Sequence, residues 1–212
     1  MPVNCNVEAI CNIEKEQNRL ATLNTITDHY GITPSYTVYG EEARSHAYFY
    51  KFKLDLNINA TSLAINHITI LEKYKNSNKP LLIFESDAIC LHDFDTIDTN
   101  INTVIQSMVE NNIDFVFLGV GCFDTVDTSL FKQIDRNLFK NLQSRCTESY
   151  IISPTGIRRY LEYFYTKQNN HTAIDADYNL FFEEHTNIIC CWLIPELFKQ
   201  GSRCMYESLV PI

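Results

Sequence analysis

The chain of 212 residues is 45% hydrophobic and 20% charged, which is typical of a globular protein long enough to bury its own core as one domain. A net charge of −9, without any cluster of Lys and Arg, argues against a nucleic-acid-binding surface. No stretch reaches the ~18 apolar residues of a membrane span, and the first residues lack the basic and apolar regions of a signal peptide, so neither a membrane span nor secretion is expected.

Predicted strands and helices alternate from the start of the chain. A first strand at 7–13 is followed by a helix at 18–30, which Gly31 ends as a C-cap residue, and by a short strand at 35–39. A β-α-β opening of this kind predicts a parallel strand pair joined by a right-handed crossover. The aromatic and basic stretch 41–59 is compatible with a hairpin or with a loop over a site.

The strongest strand signal lies in the centre of the chain. After a helix predicted at 61–74, four consecutive apolar residues at 81–84 run into Glu85, Ser86 and Asp87. A continuous apolar run of this length predicts a strand that is buried on both faces of a sheet. In open α/β sheets, ligands bind at the edge where such strands end.

The rest of the chain continues the alternation. Further helices are predicted at 95–111, from 154 onward and at 175–184; further strands are predicted at 114–120, 148–153 and 187–194, with an irregular tail from 196. Ser153 followed by Pro154 is typical of a helix N-terminus. The whole pattern predicts an α/β fold with a mostly parallel central sheet and helices on both faces.

Glu85 and Asp87 lie one residue apart at the end of the central strand, where both carboxylates can point at one ligand. Mg²⁺ and Mn²⁺ take oxygen ligands and share them with substrate phosphates. We therefore predict a metal–diphosphate site, with Asp87 as metal ligand and Glu85 as a candidate second ligand. The alternatives are an acidic strand end that faces water and, for Asp87, a helix N-cap.

The eight cysteines and six glycines exclude several other kinds of site. No Cys-x-x-Cys pair is present, which argues against structural zinc, and no glycine-rich dinucleotide fingerprint or Walker A loop can be found. Most cysteines lie in apolar stretches, as buried thiols of a reducing compartment do. We therefore expect a cytoplasmic protein in which phosphates are held by something other than a glycine loop.

A series of short motifs, taken in order, resembles glycosyltransferase family 25, the lipooligosaccharide and collagen galactosyltransferase group. These motifs are Asn12-Ile13 with Arg19-Leu20, Thr37-Val38-Tyr39-Gly40, Asn66-His67 in the helix at 61–74, the segments 81–88, 114–119 and 147–156, Ala173-Ile174-Asp175, and Pro195 with Gln200-Gly201-Ser202. The resemblance covers roughly residues 7–202. Ser86 stands where the family usually has Asp, and Asn66 stands where it has Ser.

The resemblance implies one GT-A catalytic domain over residues 1–212, a nucleotide-sugar donor such as UDP-galactose or UDP-glucose, and Mn²⁺ or Mg²⁺. The reaction would transfer a hexose, with inversion, to a glycan or glycoprotein acceptor. Short members of the group occur in large DNA viruses as well as in bacteria. Because Ser86 departs from the family pattern, a catalytically inactive module that binds a sugar nucleotide or a glycan is the alternative.

Hexosyl transfer needs a general base for the acceptor hydroxyl, and two carboxylates are candidates for it. Asp175 and Asp177 both lie near the start of a predicted helix, and the resemblance favours Asp175. The structural alternative for each is the preference of Asp for the first turn of a helix.

The donor nucleotide needs polar and aromatic contacts at the same edge of the sheet. Asn12, Arg19 and Ser86 are predicted there, together with Glu85 as second metal ligand or as acceptor for a sugar or ribose hydroxyl; the alternative for Arg19 is a surface arginine without such a role. Tyr39 is predicted to stack on the uracil or else to be a core aromatic residue. His67 lies on the apolar face of its helix, where a buried, hydrogen-bonded histidine is expected rather than a ligand.

Overall fold

The computed structural model describes residues 2–121, 126–140, 143, 146–167 and 170–203. The strands are β1 (Asn6–Ile10), β2 (Leu81–Glu85), β3 (Ala88–Cys90), β4 (Phe115–Phe117), β5 (Lys132–Asp135), β6 (Leu138–Lys140), β7 (Ser149–Ile152), β8 (Cys190–Leu193) and β9 (Phe198–Gln200). The α-helices are α1 (Gln17–Tyr30), α2 (Ile58–Tyr74), α3 (Phe94–Asn111), α4 (Pro154–Thr166) and α5 (Ile174–Glu184).

Within the described ranges, the central sheet has seven strands in the order β1-β2-β7-β4-β8-β6-β5. The pairs β1–β2 and β4–β8 are parallel, whereas β7 runs antiparallel to both β2 and β4, and β6 runs antiparallel to both β8 and β5. Strands β1, β2, β4, β5 and β8 therefore point the same way and only β6 and β7 are reversed. The predicted α/β fold with a mostly parallel sheet is confirmed.

Helices cover both faces of this sheet, because β2 is apolar on both. Leu81 and Ile83 belong to a core shared with α2, α4 and α5, whereas Leu82 and Phe84 belong to a second core shared with α1 and α3. All five residues of β2 are buried. The prediction of a central strand buried on two sides is thus confirmed.

The predicted helix ends are also confirmed where a capping residue marks them. Gly31 follows α1 with a φ of 62°, in the left-handed region that favours glycine. At the start of α4 the Ser153 hydroxyl accepts a hydrogen bond from the Gly156 N–H at 2.9 Å, and Pro154 occupies the first turn. These signals are local in sequence, which explains why they could be read directly.

The predicted strand at 35–39 is wrong, but its first residue keeps the predicted parallel pairing to the first strand. Only Ser35 forms a parallel bridge, with Ile10, and the parallel neighbour of β1 is β2. The Asn66 side chain of α2 takes the place of a strand ladder: Oδ1 accepts from the Thr37 N–H, and Nδ2 donates to the Val38 carbonyl at 2.8 Å. Side-chain hydrogen bonds can satisfy a backbone segment that would otherwise pair in a sheet.

Two segments without a firm sequence signal adopt regular structure. Residues 41–59 form no hairpin; they contain 3₁₀-helices at Gly40–Ser45 and Phe49–Lys51 and lead into α2. The tail from 196, predicted as irregular, contains β9, which pairs antiparallel with β3 in a two-stranded sheet.

The hairpin of β5 and β6 was likewise not predicted, since neither strand has a strong apolar pattern.

Two expectations about the chain as a whole concern membranes and thiols. Among the described residues, no helix combines the length and apolar character needed to cross a membrane. None of the six cysteines in the described part of the chain forms a disulfide: Cys5, Cys11, Cys90, Cys146, Cys190 and Cys191.

Candidate functional site

A cavity of ≈ 270 Å³ lies at the edge of the sheet where β1 and β2 end. Its wall also includes the start of α2, the start of α5, the residues before β7 and the residues after β9. The predicted site residues that line it are Asn12, Arg19, Tyr39, Glu85, Ser86, Asp87 and Asp175. Asp177 is not among the lining residues.

Parallel pairing explains why residues so far apart in sequence meet here. Ile10, the last residue of β1, is the register partner of Glu85, the last residue of β2. The chain segments that follow the two strands therefore leave the sheet side by side, as expected for ligand sites in α/β sheets. Asn12 and the acidic stretch from Glu85 to Asp87 consequently face one cavity.

Ser86 belongs to a buried hydrogen-bond network rather than to a set of anionic ligands. Its hydroxyl donates to Glu16 Oε1 at 2.6 Å and accepts from Arg19 Nη1 at 2.9 Å. Glu16 Oε2 in turn accepts from the Asn12 N–H at 2.8 Å. Glu16, which the sequence reading missed, thus holds the Arg19 guanidinium in the cavity wall.

Glu85 is tied to the protein by one of its two oxygens. Oε1 accepts from His67 Nε2 at 3.0 Å and from the Thr147 hydroxyl, whereas Oε2 makes no hydrogen bond to a described residue. His67 has no exposed surface, and its Nδ1 lies 2.9 Å from the Tyr150 hydroxyl. The expectation of a buried, hydrogen-bonded His67 is confirmed.

Asp87 is only 4% exposed and is incompletely satisfied. Oδ2 accepts a long hydrogen bond of 3.4 Å from the Ser202 N–H, and the buried Oδ1 has no partner in the described structure. Burial, with repulsion from Glu85, raises the pKa of Asp87. The alternatives considered for these carboxylates are wrong: Asp87 does not face water, and β3 rather than a helix follows it.

Glu148 is a further carboxyl group at this edge, and sequence reasoning missed it as it missed Glu16. It precedes β7, is 1% exposed, and has no described hydrogen-bond partner for either carboxyl oxygen. Burial raises its pKa to about 8, and the charges of Asp87 and Glu85 add to the effect. A side chain at Gly119 would place its Cβ 2.1 Å from Glu148 Oε1, so Gly119 makes room for this carboxyl group.

Asp175 and Asp177 have different surroundings although they are two residues apart. Asp175 lines the cavity at the N-terminus of α5, and burial together with the Glu85 charge raises its pKa. Asp177 points into the interior, where it accepts from the Tyr160 hydroxyl at 2.8 Å and pairs with His171 Nδ1 at 2.9 Å. The geometry therefore leaves Asp175 as the carboxylate available to a ligand.

The cavity carries more negative than positive charge. Its described wall contains four carboxylates, those of Glu16, Glu85, Asp87 and Asp175, and one Lys or Arg side chain, Arg19. A diphosphate would be repelled there unless a cation accompanied it. The unpartnered Asp87 oxygen is the kind of ligand that such a cation takes.

The residues present fit Mg²⁺ or Mn²⁺ shared with a ligand better than a cage made by protein alone. No group of three His, Cys, Asp or Glu side chains within the described ranges could hold a metal ion. Mg²⁺ is commonly bound by one or two carboxylates, with water and substrate phosphates completing its coordination. Asp87 and Glu85, which each have one oxygen without a hydrogen bond in the described structure, are the two carboxylates of the cavity wall that could hold such an ion.

Comparisons with known proteins leave the family open. No protein-family model and no curated protein sequence matches the chain. Among solved structures, UDP-glucose pyrophosphorylase complexed with UDP-glucose is similar at 12% identity and a TM-score of 0.43, covering 92% of this chain and 74% of that one. Its apo form is similar at 13% identity and a TM-score of 0.39, with the same coverage. TM-scores of this size do not establish a common fold.

Proposed function

We propose that the protein is a hexosyltransferase that takes its sugar from a nucleotide-sugar donor and passes it to a glycan or glycoprotein acceptor. The motif resemblance favours UDP-sugars as donors. The observation that carries the proposal is the buried, unpartnered Oδ1 of Asp87, a residue of the cavity wall, together with the excess of carboxylates over Lys and Arg among the described lining residues. That arrangement suits a cation-bound diphosphate. The sequence motifs that resemble glycosyltransferase family 25 supply the rest of the support.

The donor would lie along the wall formed by the ends of β1 and β2. Arg19 is held in place by Glu16 and can meet a phosphate, while Asn12 borders the same wall. Tyr39 is half-buried at the cavity edge and offers a ring on which the base can stack. The N-termini of α2 and α5 add positive dipole ends to the cavity wall.

Asp175 is the residue to which we assign the general base. Its raised pKa favours proton uptake from the acceptor hydroxyl as the acceptor oxygen bonds to the anomeric carbon and the bond to the diphosphate oxygen breaks. Mn²⁺ or Mg²⁺, when bound by Asp87 and Glu85, would neutralise the leaving diphosphate as a Lewis acid. Attack from the face opposite the diphosphate corresponds to inversion.

Calorimetric titration of UDP with and without Mn²⁺, followed by turnover of UDP-sugars, tests the proposal. In Asp87→Asn we expect the Mn²⁺-dependent part of UDP binding to be lost and turnover to fall about 10²–10³-fold, as for removal of other preorganised electrostatic groups. Asp177→Asn is the control, because Asp177 is a buried carboxylate outside the cavity. Unaltered turnover in Asp87→Asn would remove Asp87 from the mechanism.

A second function, binding of a sugar nucleotide or glycan without turnover, is favoured by the way the acidic stretch is used. Ser86 is bound to Glu16 and Arg19, and Glu85 Oε1 is taken by His67 and Thr147, which leaves few oxygens for a cation. A thermal-shift screen of UDP- and GDP-sugars separates the two functions when it is paired with a turnover assay. A ligand at a hundred times its Kd stabilises by about 2.7 kcal/mol, so binding without turnover would be plain.

A further inference from the structure

His67 joins the cavity wall to the interior of the fold. It projects from α2, has no exposed surface, and reaches Glu85 at the end of β2. Nε2 lies 3.0 Å from Glu85 Oε1, and Nδ1 lies 2.9 Å from the hydroxyl of Tyr150 on β7. Both ring nitrogens therefore have a partner, and the two partners lie on adjacent strands of the central sheet.

The chemistry of these partners decides which ring nitrogen carries hydrogen. A carboxylate only accepts, so Nε2 donates to Glu85. The Tyr150 hydroxyl lies 2.9 Å from the Tyr178 hydroxyl on α5, and it can donate to Nδ1 while it accepts from Tyr178. On this assignment from the network, one chain of hydrogen bonds runs from Tyr178 through Tyr150 and His67 to Glu85.

The chain restricts the Glu85 carboxylate to one orientation. Oε1 accepts from two donors, His67 and Thr147, so rotation of the carboxylate would break both hydrogen bonds. Oε2 makes none in the described structure and belongs to a side chain that lines the cavity. One oxygen thus faces the protein, and the other is left for a ligand.

We propose that His67 is the positioning residue of Glu85, which it holds so that Oε2 is presented to the cation–diphosphate complex in the cavity. The inference rests on the proposed function, because it assigns to Glu85 a ligand bound there. His67 touches neither the cation nor the nucleotide and acts only through Glu85. Outer-shell partners of this kind typically change metal affinity about 10–100-fold when they are removed.

Two substitutions of His67 and one control test this role by calorimetric titration of UDP in the presence of Mn²⁺. His67→Leu removes the donor, and His67→Gln returns an amide N–H near the position of Nε2. We expect UDP affinity to fall about 10–100-fold in His67→Leu and to recover most of this loss in His67→Gln. His171→Leu is the control, since His171 is equally buried and pairs with Asp177 outside the cavity; we expect it to bind UDP as the wild type does.

The ring itself can be observed in the wild-type protein, so the test holds even if a leucine variant fails to fold. In ¹⁵N-labelled protein, with and without Mg²⁺ and UDP, we expect His67 Nε2 to carry a hydrogen. A hydrogen on Nδ1 alone would overturn the inference. Equal UDP affinity in wild type and His67→Leu, or equal losses in the His67 and His171 leucine variants, would overturn it too. No Mn²⁺-dependent UDP binding by the wild type is a separate result, which refutes the proposed function and the inference with it.

Discussion

Two histidine–carboxylate pairs are buried in the described part of this protein, and they differ in how many carboxylate oxygens remain without a hydrogen bond. In one, His67 meets Glu85 at 3.0 Å; in the other, His171 meets Asp177 at 2.9 Å. Both histidines are completely buried. His67 also faces a hydroxyl group that can donate to it, whereas His171 Nε2 faces the carbonyl oxygen of Phe164, which only accepts.

The two carboxylates differ more than the histidines. Both oxygens of Asp177 have donors, from the Tyr160 hydroxyl and His171 on one side and from the Thr172 N–H on the other. Glu85 keeps one oxygen without a hydrogen bond in the described structure, and its side chain lines the cavity. A fully satisfied buried carboxylate serves the fold, and one with a spare oxygen can serve a ligand.

Glu148 extends the comparison to a third case, a buried carboxyl group with no described partner. Its titration should have the largest effect on stability. In the unfolded chain the Glu148 carboxyl group has its ordinary pKa of 4.5, whereas burial in the folded protein raises this pKa to about 8. The contribution of Glu148 to the free energy of unfolding is therefore fully present below pH 4.5 and is lost as the pH rises to about 8. The loss is on the order of 5 kcal/mol.

Thermal unfolding of the metal-free protein between acidic and mildly alkaline pH measures this effect. Glu148→Gln removes the titrating group, and we expect its unfolding midpoint to fall less over this range than that of the wild type. The difference between the two curves isolates Glu148 from other titrating groups. Parallel curves would show that Glu148 is ionised and stabilised in the folded protein.

Neutralising each paired carboxylate in turn tests the comparison directly. Asp177→Asn should lower the free energy of unfolding by about 3–5 kcal/mol, because it breaks a buried pair, and should leave the turnover per folded molecule unchanged. Glu85→Gln should lower turnover about 10²–10³-fold, because it removes charge from the proposed cation site. Chemical denaturation and donor turnover on the same samples provide both measurements.

The reverse pattern would break the comparison. If Asp177→Asn abolished turnover in a folded protein, the general base would have to be sought in the interior rather than at Asp175. If Glu85→Gln lost only stability, the cavity carboxylate would be part of the fold.

Gly119→Ala tests whether the place of Glu148 depends on the absence of a side chain at residue 119. A Cβ there would lie 2.1 Å from Glu148 Oε1 and 2.7 Å from the Phe198 carbonyl oxygen. We expect a loss of about 1–3 kcal/mol in denaturant unfolding, as in overpacked cores. In a Glu148→Ala background the same substitution should cost less, and an undiminished cost would assign the clash to Phe198 alone.

Two tyrosine hydroxyls give the smallest expected effects and sharpen the contrast between the pairs. Tyr160→Phe removes the 2.8 Å hydrogen bond to Asp177, and Tyr150→Phe removes the 2.9 Å contact with His67. Each should cost about 1–2 kcal/mol of stability. Only Tyr150→Phe should also weaken Mn²⁺-dependent UDP binding, and equal UDP affinities in the two variants would separate His67 from the site.

Features with a local signal could be predicted from the sequence. The apolar run of β2, the C-cap at Gly31 and the N-cap at Ser153 each depend on neighbouring residues, and each was found where expected. The predicted alternation of strands and helices also implied that the candidate site residues meet at one edge of the sheet, because strands that point the same way end at the same edge. All of these candidates except Asp177 line one cavity.

The partners of the polar side chains were decided only by the tertiary structure. Asp175 and Asp177 look alike in sequence, but the turn of α5 directs one to the cavity and the other to His171. Residues 35–39 look like a strand, but only Ser35 pairs with β1, and the Asn66 side chain of α2 hydrogen-bonds the backbone of Thr37 and Val38. Periodicity along the chain determines which face of an element is buried. Which donor meets which acceptor depends on residues brought together from distant parts of the chain, and no local pattern encodes that meeting.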